Sequence, residues 1–173
     1  MNMLKKIFSQ WHTFVLWALA SAIFWSWIFT FVTETSPDKK VTVYCKAPEI
    51  QDTALAAALE EEMPEGLRMI KVHSFEYVMF GVEAFYQGDI FIVPESEIAT
   101  YAEILAPVDG EQGVKVYDAA SGTGIATAYI SYANEDYYLF LGKDSPHLED
   151  GKALSVARRL LTMESCGGQS LPQ

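Results

Sequence analysis

Three histidines, two cysteines and 23 carboxylates are the side chains in this sequence best suited to moving protons, holding metals or attacking a carbonyl. Their spacing supports none of these chemistries. His12, His73 and His147 stand far apart, with no cysteine or carboxylate fixed beside any of them by spacing. Cys45 and Cys166 form neither a CxxC pair nor a Cys/His pattern of zinc spacing. HExxH, GxSxG, P-loop and EF-hand patterns do not occur. Gly122-Thr123-Gly124-Ile125-Ala126-Thr127 imitates half of a dinucleotide fingerprint. That fingerprint needs a helix opening at its last glycine and an acidic residue about 20 positions on. Thr127, Tyr129, Ile130 and Tyr132 favour a strand there instead. The sequence therefore predicts no cofactor, no metal and no enzymatic activity.

Position offers more than motif. In open parallel sheets, small molecules gather beyond the carboxyl ends of the strands, where helix N-termini present free N–H groups. The segments meeting that description are Lys46 to Glu49, His73 to Phe75 and Pro94 to Glu97, joined by the small-residue loop Ala120 to Gly124. Ser74, Ser96, Ser121 and Thr123 could donate to a ligand, and Glu95 lies among them. Helix capping and turn formation explain each of these residues taken singly. Glu95 and Glu97 also suit the first turn of a helix for dipole reasons alone.

The elements that must position these residues read in order. Val41 to Cys45 is a β-branched strand, followed by a helix from about Thr53 capped by Asp52. Ala54, Leu55, Ala58, Leu59 and Met63 give that helix an apolar stripe, and Pro64-Glu65-Gly66 stops it. Leu67 to Val72 is a second strand. Ser74 caps a second helix with Phe75, Val78, Met79, Val82, Phe85 and Tyr86 inward, and Gly88 stands at the left-handed cap position. Asp89 to Val93 is a strand covered on both faces, and Glu95 to Leu105 a third helix with Ser96 as its cap. Right-handed crossovers turn this alternation into a parallel sheet. Val114 to Tyr117 is a short strand. Ile125 to Tyr132 and Tyr137 to Leu141 then read as an antiparallel hairpin, and Asp150 caps a last helix with Ala153, Val156, Ala157, Leu160 and Leu161 inward. The predicted class is α/β, one mostly parallel lobe with an antiparallel hairpin in its second half.

All of this follows an apolar stretch. No Lys, Arg, Asp or Glu occurs from Ile7 through Thr33, and all four tryptophans (Trp11, Trp17, Trp25, Trp27) lie within it. A bilayer core needs about 20 apolar residues to cross, and residues 13–32 supply them. Lys5 and Lys6 before the run put the N-terminus in the cytoplasm and the rest outside. A cleaved signal peptide is the rival reading, since Ala20-Ser21-Ala22 resembles a cleavage site; cutting there would leave a greasy new N-terminus at Ile23. The predicted organisation is an anchor over residues 1–33, a linker over 34–40, an extracytoplasmic domain over 41–165 and a disordered tail over 166–173.

Beyond Thr33 the chain carries 23 acidic against ten basic residues, a net charge of −13. Nucleic acid is disfavoured as a partner, because binding it rests on neutralising phosphates with Lys and Arg, and so is flat docking on anionic lipid; no nucleic-acid partner is expected. Both cysteines lie outside the membrane on this topology and could pair. Cys45 reads better as a small buried hydrophobe.

Three stretches resemble the solute-binding proteins of bacterial ABC importers, the type II periplasmic-binding fold. They are Val41-Thr42-Val43-Tyr44 leading into a helix, Gly88-Asp89-Ile90-Phe91-Ile92-Val93-Pro94 followed by Glu95-Ser96-Glu97-Ile98, and Tyr137 to Ser145, similar to the family's returning strand. Members of that family are two-lobed and close over solute. This chain has room for one lobe and a membrane helix. The resemblance implies a single-lobe, membrane-anchored relative that engages a small solute or a membrane permease, with a homodimer as one way of rebuilding a cleft. An envelope interaction domain with a vestigial cleft is the alternative.

Overall fold

The computed structural model describes residues 11–33, 36–75, 83–110 and 112–163. The chain divides into two units, Met1–Thr35 and Ser36–Gln173. Helix α1 (Trp11–Thr33) belongs to the first. It is long and apolar enough to cross a membrane, a test that a signal sequence also passes. Most of its described large side chains are exposed, Trp17 at 68% and Ile23 at 71%.

The second unit opens on a 3-10 turn, Pro37–Lys39, and is a mixed α/β lobe. Its strands are β1 (Lys40–Cys45), β2 (Glu49–Ile50), β3 (Met69–Ser74), β4 (Ile90–Pro94), β5 (Leu105–Ala106), β6 (Val114–Asp118), β7 (Thr123–Gly124), β8 (Ile130–Ser131) and β9 (Tyr137–Gly142). The helices are α2 (Asp52–Glu60), α3 (Glu83–Tyr86), α4 (Ile98–Tyr101) and α5 (Lys152–Thr162). One seven-stranded sheet runs β3-β1-β4-β9-β6-β7, with β5 pairing β9 beyond the end of β6. Only the β1–β3 and β1–β4 pairs are parallel; the ladders β4–β9, β5–β9, β6–β9 and β6–β7 are antiparallel. The expectation of a mostly parallel sheet therefore holds for strand direction and fails for pairing. β1, β3, β4 and β6 all point one way, and β9 runs back between β4 and β6.

Alternation along the strands sorts the core into two layers. Val41, Val43, Cys45, Ile70, Val72, Ile90, Ile92, Leu139 and Leu141 face one side, where Leu55 and Leu59 of α2 and Ala153, Val156, Ala157 and Leu160 of α5 cover them. Tyr44, Phe91, Val93 and Phe140 face the other, packed with Phe75, Phe85, Tyr101 and Ile104. The inward faces of α2 and α5 follow the apolar spacing of the sequence, except that Ala54 is exposed and Ala56 takes its place against the core.

Four expectations need correction. The hairpin of residues 125–132 with 137–141 does not form. Both edges of β9 are occupied, by β4 on one side and by β5 and β6 on the other. Residues 125–129 instead make a turn through Ala126 at φ 48°, and Ile130–Ser131 pairs with Glu49–Ile50. The third helix is cut to a 3-10 turn (Glu95–Glu97) and the four residues of α4, because Leu105–Ala106 is recruited to the end of β9. The N-cap of α2 is Gln51, not Asp52, whose Oδ1 accepts from the Thr53 N–H at 2.7 Å. Gly88 has no positive φ; it is needed for space, since a Cβ there would stand 2.7 Å from the Tyr44 and Phe91 rings. The expected helix over residues 75–86 lies largely outside the described residues, as does the tail.

Candidate functional site

Because β1, β3, β4 and β6 share one direction, their carboxyl ends form one rim. Register fixes it: Cys45 lies opposite Ser74 and Ile92, Pro94 opposite Tyr137, and Tyr137 opposite Tyr117. At about 4.8 Å per strand the rim runs some 19 Å from β3 to β6. All the sequence-derived candidates lie along it, yet they do not converge. Ser74 is exposed at the β3 edge, Glu95 and Ser96 are exposed after β4, and Ser121 and Thr123 are exposed beyond β6.

Along the rim stand three separate groups of polar pairs. Next to Ser74, the Lys46 ammonium donates to Glu97 Oε2 and to the Tyr101 hydroxyl at 2.9 Å. It also stands 5.8 Å from the Phe75 ring centroid and 5.3 Å from that of Tyr101. Burial works against its charge, but Glu97 and Tyr101 more than compensate and raise its pKa. His73 lies beside Tyr44, ring centroids 5.7 Å apart; burial, then the charges of Lys71 and Lys40, hold its pKa below the ordinary histidine value. In the middle of the rim Ser96 Oγ donates to Glu135 Oε2 at 2.6 Å, so it bridges two loops and caps no helix. At the far end Lys115 pairs with Asp136 and, at 3.4 Å, with Asp118. Ser121 Oγ donates to Asp118 Oδ2 at 2.6 Å and lies 2.6 Å from Thr123 Oγ1. Hydrogen bonds from Ser121 and then the Lys115 charge lower the Asp118 pKa, and Lys115 lowers that of Asp136.

An open cleft of about 580 Å³ adjoins this last cluster, lined by Lys115, Tyr117, Asp118, Thr123, Leu161 and Met163 among others. Of the five candidates it takes in Thr123. Tyr101, Lys115, Asp118, Glu135 and Asp136 are rim residues that spacing in the sequence did not pick out. Asp118 carried a signal, as a side-chain acceptor opening a Ser/Gly turn. The others come into place only through register. Among the described residues no three His, Cys, Asp or Glu side chains are grouped to hold a metal ion.

Cys45 is free and wholly buried, and burial pushes its thiol pKa far up. That suits a small apolar core residue. Cys166 lies outside the described residues. No family model, curated protein or solved structure matches this chain.

Proposed function

We propose that the chain is a membrane-anchored, extracytoplasmic binding module built on a single α/β lobe, related to one lobe of the solute-binding proteins. The observation that carries the reading is the rim, where four co-directional strands end together on Ser74, Lys46, Glu95–Glu97 and Asp118–Thr123. Strand ends of this kind are where open sheets take ligands. Two features lend support. β9, the segment similar to the family's returning strand, runs antiparallel between β4 and β6. The apolar α1 meets the length needed to span a bilayer, and Lys5 and Lys6 ahead of it orient the lobe outward.

A second reading, an envelope interaction domain with a vestigial cleft, rests on the same side chains. Lys46–Glu97–Tyr101, Ser96–Glu135, Lys115–Asp136 and Ser121–Asp118 already satisfy one another. A ligand would have to displace these pairs, and an open rim buries little of a small molecule. The full chain in nanodiscs, screened against sugars, amino acids and polyamines by thermal unfolding, separates the two. Binding at a hundredfold excess over Kd stabilises by about 2.7 kcal/mol and shifts the midpoint upward. A flat response across the panel, with a protein partner co-purifying from membranes, refutes solute binding and favours the interaction domain.

A further inference from the structure

His147 sits at the end of the sheet opposite the rim and is 1% exposed. Its two ring nitrogens meet different segments: Nδ1 lies 3.1 Å from Asp150 Oδ2, and Nε2 lies 3.0 Å from the carbonyl oxygen of Pro37. Both partners accept hydrogen bonds and neither donates. A neutral imidazole has one N–H and can serve one of these oxygens; the imidazolium serves both. Around it the wiring is dense. Ser145 Oγ donates to Asp89 Oδ1 at 2.5 Å and accepts from the His147 N–H at 3.0 Å, and Asp89 Oδ2 accepts from the Thr42 N–H at 2.7 Å.

We infer that His147 is a proton-operated clasp, fastening the Pro37 turn, where the chain enters the lobe, to the head of α5 while the ring carries both protons, and letting go of the Pro37 carbonyl when it loses the Nε2 proton, the Nδ1–H staying on the stronger acceptor, the Asp150 carboxylate. The charged groups facing the ring come from each element packed on it. Asp150 belongs to its own loop, and Asp89 precedes β4. Lys152 of α5 bridges Asp150 at 2.8 Å and the Asp38 carbonyl at 3.4 Å, and Lys40 of β1 acts on Asp89. Burial opposes the charge of Asp150, but Lys152 and His147 hold its carboxyl below the usual range, so it remains a hydrogen-bond acceptor. The clasped state has the extra proton. It therefore prevails at low pH and loosens as pH rises.

The test is hydrogen exchange of the full chain in nanodiscs, at about pH 5.5 and about pH 8.5, either side of the ordinary histidine value. The reporters are the Lys39 and Lys40 amides, which bond back to Ser36 and Pro37. After correction for intrinsic exchange, their protection should fall about tenfold at the higher pH, the scale of one lost hydrogen bond to a charged group. His147→Gln should show the low protection at both pH values, and His73→Gln should keep the native response. Equal protection of the native chain at both pH values overturns the clasp, whether or not His147→Gln folds. So does a His147→Gln chain that keeps the pH response.

Discussion

Replacing Asp89 by alanine removes the acceptor that the amino end of the sheet is built on. The side chain is 1% exposed, and its two oxygens take hydrogen bonds from the Thr42 N–H and the Ser145 hydroxyl. Hydrogen bonds to a charged group are each worth about 1.5 to 3 kcal/mol, and the Thr42 N–H left behind is buried, whereas the Ser145 hydroxyl is half-buried. Part of that loss is offset, because burying a carboxylate is itself unfavourable, as the upward shift of the Asp89 pKa by burial shows. The net expectation for Asp89→Ala is a loss of about 3 kcal/mol. Asp89→Asn keeps one acceptor and should lose about half as much. Urea unfolding followed by far-UV circular dichroism is the assay; indole fluorescence would not serve, because all four tryptophans lie in residues 11–27 and the lobe contains none. A raised folded-state pKa on a carboxyl contributes stability that is present below its unfolded value of about 3.9 and is lost as pH rises through the folded value. The native chain should carry that slope relative to Asp89→Asn. An Asp89→Ala chain within about 1 kcal/mol of native, or two parallel pH profiles, would refute the reasoning.

Glycine substitutions separate space from backbone strain. A Cβ on Gly142 would lie 1.8 Å from the Gly88 carbonyl oxygen, so Gly142→Ala should cost about 3 kcal/mol or more in the same assay. At Gly122, with φ +66° and nothing within 4 Å, alanine should cost about 1 kcal/mol, and a reversed order would contradict the packing. In a Cys166→Ser background, Cys45 should resist maleimide at mildly alkaline pH until denaturant is added; native labelling would mean that the β1 core opens. Alkaline carbonate should leave the full-length chain in the membrane fraction. A soluble product beginning near Ile23 would instead identify the apolar segment as a cleaved signal.

The first half of the lobe was legible because each apolar run has its own period. Val41–Cys45 and Ile90–Val93 are buried along their whole length, and Leu55 and Leu59 mark the inner face of α2. The second half was not, since its pairing is decided by competition for edges. Thr127, Tyr129 and Ile130 have strand propensity, but β9 has no free edge for them. The rim was foreseeable as a place and not as a set of contacts. Ser96 meets Glu135 and Lys115 meets Asp136 across 39 and 21 residues of chain, which only the β4–β9 and β6–β9 registers bring together.

The position of β9 also sets an order of assembly. The plank that completes the middle of the sheet is almost the last to be synthesised, so Ile90–Pro94 waits with one apolar margin unpaired until Tyr137–Gly142 arrives. β6 has only the two-residue β7 to lean on until then. A nascent lobe of this design presents a sticky half-sheet for most of its emergence, and truncation anywhere before residue 137 should yield aggregates rather than a smaller folded core.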